Sequence, residues 1–235
     1  MKSFGELQEG LQDPNIFKAF FLAGGPGSGK SYVVRYSIGG TGSSRTASPT
    51  GLRVVNSDEV FEKYLKDAGI SMKMGSEDPQ RDEVRAKAKK VTASRKANYI
   101  EGRIGLIIDG TGKKYDKIRS QKAELESLGY DTHMIFVNTS IEVALARNVK
   151  RERSAPEDVA IIGSNAVQGN LGKFNSLFRG DMIIVDNNKK DDDIEMMTFK
   201  EVKRLLGKKV RNTRAKQWID TEMKLRGITK KPKGW

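Results

Sequence analysis

Five mostly apolar runs recur along the chain, at 16–23, 52–55, 104–108, 133–137 and 182–185, and four of them stop at Gly24, Asn56, Asp109 and Asp186. Each is short and bounded by turn-forming residues, so each predicts a strand, the first of them buried. Between these runs, apolar residues step by three and four. Val60, Phe61, Tyr64 and Leu65 predict a helix over 59–68, and further helices are expected over 115–128, closed by Gly129, and over 141–153. A short helix is expected over 31–36. Another should begin near Glu77, where acids and Pro79 suit a first turn, and run to about Glu101. It carries Arg81, Arg85, Lys87, Lys89, Lys90, Arg95 and Lys96, a run whose default reading is a solvated face. Strands alternating with helices predict a five-stranded, mostly parallel sheet with helices on both faces.

Three stretches break this alternation. Residues 37–51 are rich in Gly, Ser and Thr and predict a loop, either a lid or a simple insertion. Pro156, Gly163 and Gly169 predict a lid-like connection. After Asn188 the composition turns basic, with helices expected over 199–206 and 213–225 and a disordered end over 230–235. The expected organisation is an α/β domain over 1–190 and a basic helical extension over 191–235.

Composition narrows the chemistry. The chain has 235 residues, enough to bury a substantial core. It has no cysteine and one histidine, which excludes disulfides, a catalytic thiol and thiolate metal sites. His133 falls inside a predicted strand and reads as structural. The first residues lack the apolar core of a signal peptide, and no run approaches a membrane span, so a cytoplasmic protein without a membrane partner is expected. The net charge of +13 is compatible with nucleic acid or phosphorylated substrates, and equally with plain solubility.

The most specific motif lies between the first strand and the short helix. Gly24-Gly25-Pro26-Gly27-Ser28-Gly29-Lys30-Ser31 matches G-x-x-x-x-G-K-[ST], the phosphate-binding P-loop. Its glycines allow backbone N–H groups to turn inward onto phosphate oxygens, and the following helix start adds partial positive charge. Lys30 is expected on the β- and γ-phosphates and the Ser31 hydroxyl on magnesium. A dinucleotide G-x-G-x-x-G does not fit this register. Asp109 ends the third run as a Walker-B acid would, with a turn aspartate as the alternative. Asp58 follows the second run, where it could take a proton from an attacking hydroxyl or cap the next helix. Arg147 and Arg151 share a helix face and could neutralise a transferred phosphoryl group, with a surface salt bridge as the alternative.

In this order, Gly24 to Ser31, Asn56-Ser57-Asp58, Asp109-Gly110-Thr111, Arg147 with Arg151, and Asp186-Asn187 resemble the zeta-toxin and polynucleotide-kinase branch of P-loop kinases, over roughly residues 17 to 188. The resemblance implies a P-loop NTPase fold and a phosphotransferase using ATP or GTP with magnesium. It assigns Asp58 as the residue that activates the acceptor hydroxyl, the arginines as transition-state stabilisers, and Asn187 a place near the nucleotide base. The acceptor it implies is a polynucleotide 5′-hydroxyl or a nucleotide-sugar. A nucleic-acid-dependent ATPase is an alternative, weakened because Gly110, not glutamate, follows Asp109. A non-catalytic nucleotide-binding subunit is another.

Overall fold

The computed structural model describes residues 11, 13, 15–33, 51–72, 78–150, 154–189 and 192–229. Five strands, β1 (Lys18–Ala23), β2 (Arg53–Val55), β3 (Leu106–Asp109), β4 (Asp131–Asn138) and β5 (Met182–Asp186), form one sheet in the order β2-β3-β1-β4-β5. All four pairings are parallel, as the alternation predicted. Parallel neighbours need long crossovers, and helices supply them. α1 (Lys30–Val33) follows β1, α2 (Ser57–Asp67) and α3 (Gln80–Glu101) follow β2, and α4 (Tyr115–Ser127) follows β3. α5 (Ile141–Val149), α6 (Glu157–Gln168) and α7 (Leu171–Phe178) lie between β4 and β5, and α8 (Asp192–Leu206) and α9 (Thr213–Leu225) come last.

β1 sits in the middle of the sheet, and all six of its residues are buried. Strand alternation sends Ala19, Phe21 and Ala23 to one core and Phe20 and Leu22 to the other. The first core receives Leu125 of α4, Phe174 and Phe178 of α7, and Ile219 of α9. The second receives Val33 of α1 and Val202 and Leu205 of α8. Each large side chain so buried contributes about 1.5–3 kcal/mol. Coverage on both faces explains the continuous apolar runs of β1, β3 and β4, whereas edge strand β5 leaves Ile184 exposed. A satellite cluster of Val60, Phe61, Leu65, Ile70 and Ala88 joins α2 to α3. Because the strands run parallel, their carboxyl ends share one edge, and the loops after β1, β2, β3 and β5 open onto it.

The segment after α5 departs from the sequence reading. Where a lid-like connection was expected, α6 and α7 form. Glycine weakens a helix, but at Gly163 the missing side chain serves packing, since a Cβ there would stand 2.6 Å from Lys113 Nζ and 3.2 Å from Pro26 Cδ. Asn148, at the end of α5, donates to Ala155 O at 2.7 Å and accepts from Ala155 N at 3.1 Å, which pins the chain where α6 begins. α8 starts at Asp192, well before the expected 199, and β4 starts at Asp131, before His133. The 37–50 part of the expected loop and the 230–235 end lie outside the described residues.

The opposite, amino-terminal edge of the sheet is bound by charges. Lys18 is buried, and its ammonium donates to the carbonyls of Leu206, which ends α8, and of Lys208 just beyond it. Burial pushes its pKa down to about 8, with Asp131 opposing the shift. Asp131 accepts from the backbone N–H groups of Arg211 at 2.7 Å and Asn212 at 3.1 Å, just ahead of α9. Asp181 takes Arg211 Nη2 at 2.7 Å and Lys208 Nζ at 3.1 Å, and lies 3.4 Å from His133 Nδ1. His133 stacks on Phe20, and burial keeps its pKa below the ordinary value, as a core histidine.

Burial opposes ionisation of Asp181, but the nearby His133 ring and the hydrogen bonds from Arg211 and Lys208 outweigh it and hold its carboxyl below the usual range. Asp181→Asn should therefore cost about 1–3 kcal/mol near neutral pH. A depressed carboxyl pKa stabilises the fold above its unfolded value of about 4, and this gain is lost as pH falls through the folded pKa. Denaturant unfolding of both proteins at pH 7 and pH 3 checks this: the gap must narrow at pH 3, and an unchanged gap contradicts it.

Candidate active site

The loop Gly24 to Ser31 leaves the carboxyl end of β1 and enters α1 at Lys30. Gly27 and Gly29 have φ of +78° and +87°, a region that side chains rarely adopt. A Cβ on Gly27 would stand 2.0 Å from the Ala144 carbonyl oxygen, and one on Gly29 would stand 2.2 Å from Asn187 Nδ2. The loop is thus pressed against α5 and the end of β5. Its shape is held by Gly24 N donating to Thr111 O at 3.0 Å, and by two donors on Ser28 O, Asn187 Nδ2 at 2.7 Å and Thr139 Oγ1 at 3.1 Å. Lys30 bends over the loop, donating to Gly24 O at 2.6 Å and Gly25 O at 3.2 Å. The Ser28 hydroxyl is buried without a hydrogen-bond partner. A glycine cradle that a Cβ would fill, a lysine across it and an orphaned hydroxyl suit phosphate oxygens.

The ends of β2 and β3 are tied together. Asn56 caps α2, its side chain accepting from Asp58 N at 2.7 Å, while its amide donates to Asp109 Oδ2 at 2.7 Å. The cap role considered for Asp58 therefore belongs to Asn56. The Asp58 carboxylate instead pairs with Arg85 of α3, Nη1 to Oδ1 at 2.6 Å. Ser31 is exposed on α1. Arg147 donates to Asn187 O at 2.7 Å, which brings its guanidinium to the rim of the loop, 3.8 Å from where a Gly29 Cβ would stand. Asn187 lies buried behind the loop with its amide on Ser28. Arg151 lies outside the described residues. The arrangement thus gathers Gly24, Gly25, Gly27, Ser28, Gly29, Lys30, Arg147 and Asn187 around the loop, with Asp58 and Asp109 at the neighbouring strand ends.

The zeta-toxin family profile matches residues 7–194. The chain belongs to the zeta-toxin family. No curated protein matches the sequence. Among solved structures, 80% of this chain superimposes on 98% of a candidate kinase of Chloroflexus aurantiacus, with a TM-score of 0.53 and 15% identity. The complex of AvrRxo1-ORF1 and -ORF2 with ATP is similar over 70% of this chain and 54% of the matched chain, with a TM-score of 0.51 and 14% identity. The Pnkp1/Rnl/Hen1 RNA repair complex is similar over 68% and 47%, with a TM-score of 0.50 and 21% identity. This chain thus spans about half of each matched chain in those two complexes. At these identities the likeness is one of fold. Family and fold together make this zeta-toxin homologue a P-loop kinase, a phosphotransferase. No described helix is long and apolar enough to cross a membrane.

Several residues escaped the sequence reading. Thr139 carried no motif, and Asn56 stood in Asn56-Ser57-Asp58 with no role of its own, because their work is to hold other residues. Arg85 was one cation in a run read as solvated, and only the packing of α3 on α2 separates it from the rest. Its guanidinium lies 4.8 Å from the centre of the Phe61 ring, and that of Arg81 lies 5.4 Å from the same centre.

The glycines can be tested directly. Gly27→Ala should weaken ATP binding at least tenfold by titration calorimetry. Gly110→Ala, where among the described residues a Cβ meets only Leu22 O at 3.8 Å, should leave affinity within about twofold. Equal affinities for both variants would show that the loop does not carry the nucleotide.

Proposed function

We propose that the protein transfers the γ-phosphate of ATP or GTP to a hydroxyl of a phosphorylated acceptor, either a polynucleotide 5′-hydroxyl or a nucleotide-sugar. The observation that carries this reading is Asp58. It stands at the carboxyl end of β2 on the P-loop edge of the sheet, its side chain is half exposed, and the cap position is filled by Asn56. A carboxylate so placed can accept the hydroxyl proton as the oxygen attacks phosphorus. The O–P bond to the acceptor forms, the bond from the γ-phosphorus to the β–γ bridging oxygen breaks, and the nucleoside diphosphate leaves. Lys30 and the loop N–H groups hold the donor phosphates. Arg147, at the rim, supplies fixed positive charge to the transferring group, a role Arg151 shares.

Magnesium fits the donor set here. Ser31 and Asp109 offer hard oxygen ligands, and the ion typically keeps several waters and takes others from phosphate. Among the described residues no three acidic or histidine side chains form a separate metal cage, so protein ligands would be few. The ion would neutralise charge on the phosphate oxygens. The acceptor hydroxyl can be phosphorylated only if it reaches Asp58, and the net charge of +13 favours acceptors that carry phosphate themselves.

The decisive comparison is Asp58→Asn against Lys30→Ala. Removing the base should lower labelled γ-phosphate transfer at least about a hundredfold while ATP affinity stays unchanged. Removing the lysine should weaken ATP binding itself. Unchanged transfer by Asp58→Asn to every acceptor tried, among oligonucleotides, nucleosides and nucleotide-sugars, would overturn the mechanism.

A further inference from the structure

The P-loop accounts for the donor phosphates, yet a second set of phosphate-competent groups stands beside Asp58. Arg85 and Arg81 project from successive turns of α3, four residues apart and so on one face. Both guanidinia lie over the ring of Phe61 in α2, with Arg85 at 4.8 Å and Arg81 at 5.4 Å from its centre. Phe61 is itself buried in the α2–α3 cluster, so the platform is fixed. Arg81 is steadied further by donating to the Ser71 carbonyl. Two residues past Arg85, Lys87 stands 5.2 Å from the ring centre of Tyr64, a further cation on an aromatic face.

This pair does not behave as a buried structural bridge. The Arg85 side chain is 30% exposed and that of Asp58 is 50% exposed. An ion pair this open contributes little to stability, so its conformational cost needs another reason. A guanidinium presents a planar fork that matches phosphate oxygens as well as carboxylate ones, and it forms strong charge-assisted bonds to either. Asp58 and a phosphate are therefore competing partners for one donor.

We infer that Arg85, with Arg81, forms a binding site for a phosphate of the acceptor, and that Arg85 exchanges Asp58 for that phosphate when the acceptor binds. The inference rests on Asp58 as the base of the proposed transfer. Without acceptor, Arg85 holds the carboxylate. With the acceptor's phosphate on the arginines, the acceptor is anchored on the α2–α3 side, and the carboxylate can accept a hydroxyl proton. The chemistry recognised is a phosphate attached to the molecule that carries the hydroxyl. A polynucleotide linkage and the diphosphate of a nucleotide-sugar both supply it.

Equilibrium binding without turnover separates this inference from the transfer reaction. The probes are a short 5′-hydroxyl oligonucleotide and a nucleoside diphosphate sugar, each titrated into the full chain by calorimetry. At least one should bind the wild type and lose tenfold or more in affinity in Arg85→Ala, with Arg85→Lys recovering part of the loss. The probe that responds identifies the source of the phosphate. ATP affinity should be unchanged in both variants, which shows that the fold is intact. Should Arg85→Ala fail to fold, Arg85→Gln serves in its place.

Asp58→Asn supplies the reading that a purely structural role would not produce. Removing the competing carboxylate should raise probe affinity severalfold even though it abolishes transfer. The inference is overturned if neither probe binds the wild type, if Arg85→Ala binds both probes as the wild type does, or if Asp58→Asn lowers their affinity. If the binding pattern holds while wild-type transfer is absent, the subsite stands and the proposed reaction fails.

Discussion

Everything at the active edge depends on β1 being paired on both sides and buried on both faces. The strand has no freedom to shift, because Phe20 and Phe21 anchor it in opposite cores while β3 and β4 fix its register. The loop that leaves it must therefore turn where β1 ends. That turn is tight enough that Gly27 and Gly29 press on Ala144 and Asn187, where any Cβ would collide. The donors on Ser28 O come from Thr139 after β4 and Asn187 after β5, so strand pairing and loop shape form one mechanical unit. Preorganised N–H groups of this kind need no rearrangement when charge arrives, which is where a phosphate site gains its strength.

The two edges of the sheet use charge in opposite ways. At the amino-terminal edge, Lys18, Asp131 and Asp181 are hydrogen-bonded by groups within the chain, and these partners lie around α8 and α9. The cost of burying those groups is offset by hydrogen bonds that tie the last two helices to the sheet. At the carboxyl edge, paired cations and carboxylates stay part-exposed. Arg85 with Asp58 is the clearest case. Closed charge binds the fold together there, and open charge leaves room for exchange with a ligand here.

Secondary structure was legible wherever one period dominated. The five strands and most helices fall close to their expected places, since a doubly buried strand is a continuous apolar run and a packed helix repeats every three or four residues. The exception is instructive. Pro156, Gly163 and Gly169 read as a connection, but α6 spans Gly163 because the P-loop and Lys113 need the space a side chain would occupy. Glycine marks either a break or a close approach, and a single sequence does not tell the two apart.

By itself the sequence determined the phosphate loop, the parallel α/β class and the chemical types available at each strand end, because these follow from local spacing and backbone sterics. Only the tertiary structure decided which residue does which task. Asn56, not Asp58, caps α2, since the cap depends on the angle at which β2 meets the helix. Arg85 reaches Asp58 from 27 residues away because α3 packs on α2 through Phe61. Contacts between residues distant in sequence depend on how the helices pack, and no local pattern records that.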